Sequence, residues 1–163
     1  MLIRLKNKDT LIINDFKFRC CIGKKGIKRN KIEGDKSTPS GTFKLGDVYY
    51  RPDRVQKPHT KLKCKKIKKK MGWCNDQFNK FYNKEIQLNK KIKHEKLFRK
   101  DYKYNYFIVI HYNYPKAIFG KGSAIFIHLT KNYKPTAGCI ALKKKDFLIL
   151  IKLINKNTRI KIN

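Results

Sequence analysis

Apolar and charged residues alternate from the start of this chain, and the alternation predicts strands. Two short apolar runs, residues 2–5 and 11–13, are separated by the turn signal Lys8-Asp9. Phe16, Phe18, Cys20 and Ile22 then alternate with Lys17, Arg19 and Cys21, the period of a strand with one face buried. Residues 23–41 form a polar loop in which Gly, Pro and Asp break regular structure, and residues 42–50 resume as a strand. The stretch 51–70 is basic, contains two prolines and reads as a surface excursion. Residues 78–101 are mixed, and the part holding His94, Glu95 and Arg99 reads as a candidate short helix.

The second half is more strongly patterned. Residues 107–111 are aromatic and β-branched, the composition that fits a pleated, buried surface, and 125–129 and 139–142 are two further apolar runs. Phe147, Leu150, Ile151 and Ile154 fall at i, i+3, i+4 and i+7, which predicts an amphipathic helix over about 144–155. Residues 158–162 close the chain as a strand. The fold class expected is mainly β, a mixed β-sandwich or sheet, with this one helix near the C-terminus and short helical or loop excursions between 51 and 104. The βαβα alternation of a parallel sheet is missing, and there is no internal repeat.

Composition narrows the picture. At 163 residues the chain is expected to form one domain, residues 1–163, and its 40% hydrophobic content supplies a core despite the charge. No run approaches the roughly 20 apolar residues of a membrane span. The first residues are interrupted by charges every few positions, so no signal peptide is visible. The net charge of +31 invites a nucleic-acid reading. Yet only seven of the 42 basic residues are arginine, the better phosphate reader. Lys, Ile and Asn are all favoured by AT-rich codons, so much of the basicity follows from base composition, and no specific nucleic acid is expected. Cys20, Cys21, Cys64, Cys74 and Cys139 form no repeated C-x-x-C spacing, which argues against zinc. An odd count leaves at least one free thiol in a monomer, which suits a catalytic cysteine better than a disulfide framework.

The chemistry concentrates in residues 120–142, GKGSAIFIHLTKNYKPTAGCIAL. One apolar run carries His128; a short basic loop follows, and Thr-Ala-Gly-Cys leads into the next run. Taken alone, Cys139 is a small buried hydrophobe and His128 a core histidine satisfied by a carbonyl. Together, at neighbouring strand ends, they make a candidate nucleophile and base. Gly138 permits the tight backbone that exposes a nucleophile and aims N–H groups at a substrate oxygen. An imidazole within reach is expected to lower the thiol pKa and raise the thiolate fraction.

IFIHLTKNYKPTAGCIAL, with EGDKSTPSGTFKL, YYRPDR, GWCN, HEKLFRKD and GKGSAIF, resembles the L,D-transpeptidase catalytic domain, the YkuD family, and its compact branch with a Thr-x-Gly-Cys motif. The six blocks lie in order over most of the chain. The resemblance implies a YkuD-like fold and a cysteine acyltransferase of cell-wall biogenesis. Its partners would be peptidoglycan stem peptides; no cofactor and no metal are implied. Cys139 would be the nucleophile and His128 the proton donor and acceptor, oriented by a backbone carbonyl. Backbone N–H groups at Gly138 and Cys139 would hold the oxyanion. Arg99, His94, Gly122, Ser123 and Trp73 are the candidate substrate contacts, Trp73 as a lid and Arg99 for a carboxylate. The resemblance also implies work in the cell envelope or periplasm, and a monomer is expected. Two positions depart from the better-known members: Ala137 and Ala141 stand where a histidine and a polar residue are common.

Two alternatives stay open. Water in place of the acceptor amine would make the same pair an L,D-carboxypeptidase. A non-enzymatic basic module binding nucleic acid or anionic wall polymers would keep its function in Cys139→Ala and lose affinity steeply with salt.

Overall fold

The computed structural model describes residues 1–88 and 91–163. The chain opens with β1 (Leu2–Lys6), β2 (Thr10–Ile13) and β3 (Phe16–Cys21), an antiparallel meander. Its tight turns place Asn7, Lys8 and Asn14 at positive φ, a conformation that matches the strand twist. Side chains alternate across a strand, so Ile3, Leu5, Leu11, Ile13, Phe18 and Cys20 are buried while Arg4, Lys6, Lys17 and Arg19 face solvent. In the loop that follows, β4 (Ile27–Lys28) and β5 (Thr38–Pro39) form a small parallel pair, and β6 (Gly41–Tyr50) leads back into the sheet.

The middle of the chain is more ordered than its sequence pattern suggests. It holds β7 (Cys64–Lys66), β8 (Met71–Cys74), β9 (Glu85–Gln87) and β10 (His94–Lys96). The segment read as a short helix is therefore a strand. Glu95 pairs opposite Trp73 and His94 opposite Cys74, and cross-strand pairing with β8 overrides a local pattern too short to decide. The excursion 51–70 buries Leu62 and Ile67. β11 (Tyr106–Ile110), β12 (Phe126–Leu129), β13 (Ile140–Leu142), α1 (Lys144–Leu153) and β14 (Arg159–Ile162) complete the chain. The amphipathic helix is where periodicity places it, ending two residues early.

The main sheet runs β11-β12-β13-β3-β2-β1-β14-β6, and β6 pairs back to β11, so these strands close into a barrel-like arrangement with β7 added to β6 on the outside. Phe147, Leu150 and Ile151 of α1 join the core made by one face of the strands. The other face of β6, β11 and β12 carries Tyr49, Phe107, Val109 and Phe126, packed with Trp73 and Leu97. The second sheet, β10-β8-β9, supplies Trp73 to this cluster. β11 and β12 are thus buried on both sides, which is why they read as unbroken apolar runs. No described helix is long and apolar enough to cross a membrane.

Candidate active site

β12 and β13 run parallel, with Ile127 opposite Ile140 and His128 opposite Ala141. Continuing that register puts Cys139 beside Phe126. The two-residue side-chain period then turns Phe126, His128, Cys139 and Ala141 to one face, that of the second apolar cluster. His128 and Cys139 both line a cleft of about 520 Å³.

His128 is 7% exposed, and its Nδ1 lies 2.9 Å from the Leu129 carbonyl oxygen. A carbonyl can only accept, so Nδ1 carries the hydrogen and Nε2 keeps its lone pair. Burial pushes the imidazole pKa down to about 4, with nearby Lys103 and Arg99 adding to the effect and the Leu129 hydrogen bond opposing it. The ring is neutral at physiological pH and meets the Tyr104 ring edge-on, 5.5 Å between centroids.

The Cys139 thiol donates to the Ala124 carbonyl at 3.3 Å and accepts the Phe126 N–H at 3.4 Å. Burial, and then the Glu95 carboxylate, push its pKa up to about 12. The sequence reading expects a thiol made acidic by its imidazole; the folded chain holds a neutral one instead. The cause is desolvation, with the nearby Glu95 charge adding to it.

The Thr-x-Gly-Cys turn is built around two hydroxyls. Thr136 Oγ1 donates to the Cys139 carbonyl at 2.6 Å and accepts the Gly138 N–H at 3.1 Å. Thr38 Oγ1 donates to the Gly138 carbonyl at 2.8 Å and accepts the Gly23 N–H at 2.9 Å. Gly138 sits at φ +140°, and a Cβ there would lie 2.8 Å from the Ser37 carbonyl oxygen, so no other residue fits. Asp35 fixes the loop that delivers Thr38, accepting from Lys31 at 2.6 Å, Ser37 N–H at 2.9 Å and Ile32 N–H at 3.1 Å. Although burial opposes it, these bonds hold the Asp35 carboxyl below its ordinary pKa.

The expected substrate contacts divide. Ser123 and Arg99 line the cleft. The Ser123 hydroxyl donates to Glu33 Oε2 at 2.7 Å, and that oxygen also accepts the Tyr82 hydroxyl at 2.5 Å. Arg99 is already engaged by Asp101, with Nη2 2.6 Å from Oδ2 and Nε 3.1 Å from both carboxylate oxygens. Its guanidinium lies over the Tyr104 ring, whose hydroxyl donates to Glu95. Burial raises the Glu95 pKa.

The other three stand away from the cleft lining. Gly122 donates its N–H to the Tyr82 hydroxyl at 2.9 Å. His94 Nδ1 lies 2.6 Å from the Ile92 carbonyl oxygen. Trp73, expected as a lid, is 7% exposed and sits in the apolar cluster. Its indole N–H donates to Asn83 at 2.9 Å and its ring meets Phe126 edge-on at 5.1 Å. An indole with its one donor satisfied inside a core has no polar reason to face a substrate.

Sequence reasoning missed Tyr82 and Asn83, adjacent residues in a stretch that carries no motif. Glu33 and Glu95 lie in the EGD and HEK blocks, and both line the cleft. Among the described residues no group of three or more His, Cys, Asp and Glu is placed to hold a metal.

A family model for the L,D-transpeptidase catalytic domain, YkuD, matches residues 2–162. The fold is also that of the helical cell shape determining protein Pgp2 from Campylobacter jejuni. Its crystal structure aligns at 17% identity and a TM-score of 0.52, and that of a point mutant at 18% and 0.52. Each alignment covers 99% of this chain and 46% of the other, so the chain spans less than half the length of these structures. No curated protein matches the chain.

Proposed function

The chain belongs to the YkuD family of L,D-transpeptidase catalytic domains, and on that premise we propose that it is a cysteine acyltransferase acting on peptidoglycan tetrapeptide stems. The observation that carries this reading is the shared cleft: Cys139 and His128, on adjacent parallel strands, face the same 520 Å³ space. The imidazole Nε2 lone pair is free to take a proton because Nδ1 is committed to Leu129.

The resting pair is neutral, so the thiol is deprotonated as it attacks. The S–H turns from Ala124 to His128 Nε2 while Sγ adds to the carbonyl of the third stem residue. Of the two N–H groups expected at the oxyanion, that of Gly138 is engaged by Thr136, and we assign the developing charge to the N–H of Cys139. Collapse expels the terminal D-alanine, whose nitrogen takes the proton back from His128. The thioester is then attacked by the side-chain amine of a second stem. That amine gives its proton to His128, a new amide forms, and the thiol is released with the proton returned. The product is a 3→3 crosslink. Such a substrate places the enzyme in the cell envelope.

The test is incubation with a disaccharide tetrapeptide containing a diamino acid, followed by mass spectrometry, with Cys139→Ala as control. A crosslinked dimer is expected. A tripeptide alone would reassign the enzyme as a carboxypeptidase using the same pair, and unchanged substrate would overturn both readings.

A further inference from the structure

One buried side chain controls the residue that holds the nucleophile. Asn83 is 7% exposed, lies at φ +58°, and uses its full hydrogen-bonding capacity. Its Nδ2 donates to the carbonyls of Tyr112 at 2.9 Å and Asn113 at 3.0 Å. Its Oδ1 accepts the indole N–H of Trp73 at 2.9 Å and the backbone N–H of Ala124 at 3.0 Å. A single amide thus ties β8, the turn after β11 and the approach to β12.

The last of these bonds bears on the chemistry. Ala124 stands at φ +53°, a left-handed conformation that an alanine keeps only when its surroundings impose it. On one side of Ala124 its N–H is held by Asn83; on the other its carbonyl accepts the Cys139 thiol at 3.3 Å. The carbonyl cannot move without the thiol losing its partner, and the N–H bond fixes the peptide that precedes that carbonyl.

We infer that Asn83 is a positioning residue for Cys139: through Ala124 it fixes the direction of the S–H bond and holds the thiol unreactive until substrate arrives. This inference rests on the acyl-transfer reading only for its effect on turnover. Its effect on the thiol is independent of what the substrate is.

The experiment measures two things in Asn83→Ala and Trp73→Phe: turnover of the disaccharide tetrapeptide, and the rate at which iodoacetamide alkylates Cys139, followed by peptide mass spectrometry. In Asn83→Ala the thiol loses its fixed partner. Alkylation of Cys139 is expected to quicken about 10-fold while kcat falls about 100-fold at nearly constant KM, the size of effect that loss of near-attack geometry produces. Trp73→Phe removes the other bond to the same oxygen and is expected to leave both readouts near wild type. Wild-type alkylation of Cys139 in folded Asn83→Ala would overturn the inference, as would an equal change in Trp73→Phe.

Asn83→Gly is the second variant, and it decides the matter if the alanine variant does not fold. It removes the same side-chain bonds but adopts φ +58° without strain, so the same rise in alkylation and fall in kcat are expected. A folded Asn83→Gly whose Cys139 alkylates at the wild-type rate would overturn the role of Ala124. If wild type proves inactive on the tetrapeptide while Asn83→Ala still speeds alkylation, the substrate reading fails and the positioning role stands.

Discussion

The hydroxyl of Thr38 donates to the carbonyl of Gly138 at 2.8 Å, joining two residues 100 positions apart, and accepts the N–H of Gly23 at 2.9 Å. Thr38 is fully buried. Thr38→Val keeps the shape of the side chain but strands an N–H and a carbonyl away from water. Leaving such groups unpaired costs about 1–3 kcal/mol. We expect the urea midpoint to report a loss of about 2 kcal/mol, and turnover to fall because the Gly138 peptide shifts. Thr38→Ser, which keeps the hydroxyl, should recover most of both. A Thr38→Val protein with wild-type stability and turnover would contradict this role for the bridge.

Gly138→Ala should do more damage than its one added methyl suggests. The residue sits at φ +140°, and the new Cβ would lie 2.8 Å from the backbone oxygen of Ser37. Backbone cannot swing aside as a flexible side chain can. Strain of this kind costs about 1–3 kcal/mol before any contact is counted. Thermal unfolding should therefore show a lowered Tm with near-complete loss of activity. An unchanged Tm would mean that the turn can relax.

These two positions mark how far the sequence could be read. Gly138 and Cys139 were visible because a glycine before a cysteine in an apolar context carries its own chemical signal. Strands β1 to β3, β6 and β11 to β14 and helix α1 were visible because their periods of two or 3.6 are local properties. The bridge from Thr38 was not, since nothing local connects residues 100 apart. The same holds for Asn83, whose four hydrogen bonds all reach other segments. β8 to β10 were missed because each is three or four residues long and is held by pairing. Trp73, expected as a lid, is turned by the fold into the apolar cluster beside Phe126.

Thiol reactivity should run opposite to the order expected from a catalytic cysteine. Cys20, Cys21, Cys74 and Cys139 are buried, and only Cys64 is partly exposed. Burial raises the pKa of Cys64 too, but Lys57 nearby opposes it. Iodoacetamide at neutral pH should label Cys64 first and Cys139 late, because the thiolate is the nucleophile and Cys139 is held as a neutral thiol. An acylating mimic of the substrate, such as a carbapenem, should still mark Cys139, since it presents a carbonyl to the cleft and lets His128 take the proton. Peptide mapping after each reagent separates the two behaviours. Fast iodoacetamide labelling of Cys139 in the free enzyme would refute the neutral resting thiol.

The last prediction concerns pH, where His128 acts on activity and stability with the same sign. Its imidazole serves as a base only when neutral, and burial lowers its pKa from the ordinary 6.5 to about 4. The acid limb of kcat/KM, which reports the free enzyme, should accordingly fall near pH 4 and not near 6.5. For stability, the unfolded chain takes up a proton below pH 6.5 that the buried ring refuses. The unfolded state therefore binds more protons across this window, and stability drops as pH falls from 6.5 toward 4, then levels. A shift of this size corresponds to about 3 kcal/mol. Carboxylates such as Asp35, whose pKa is held down by Lys31, add their own acid sensitivity, but equally in a variant that spares them. Urea unfolding of wild type and His128→Gln at several pH values isolates the imidazole: the variant should lose activity yet show a flatter decline between about pH 6.5 and 4. Parallel curves would mean that the folded imidazole takes up its proton as the unfolded chain does, and would refute the burial-lowered pKa of His128.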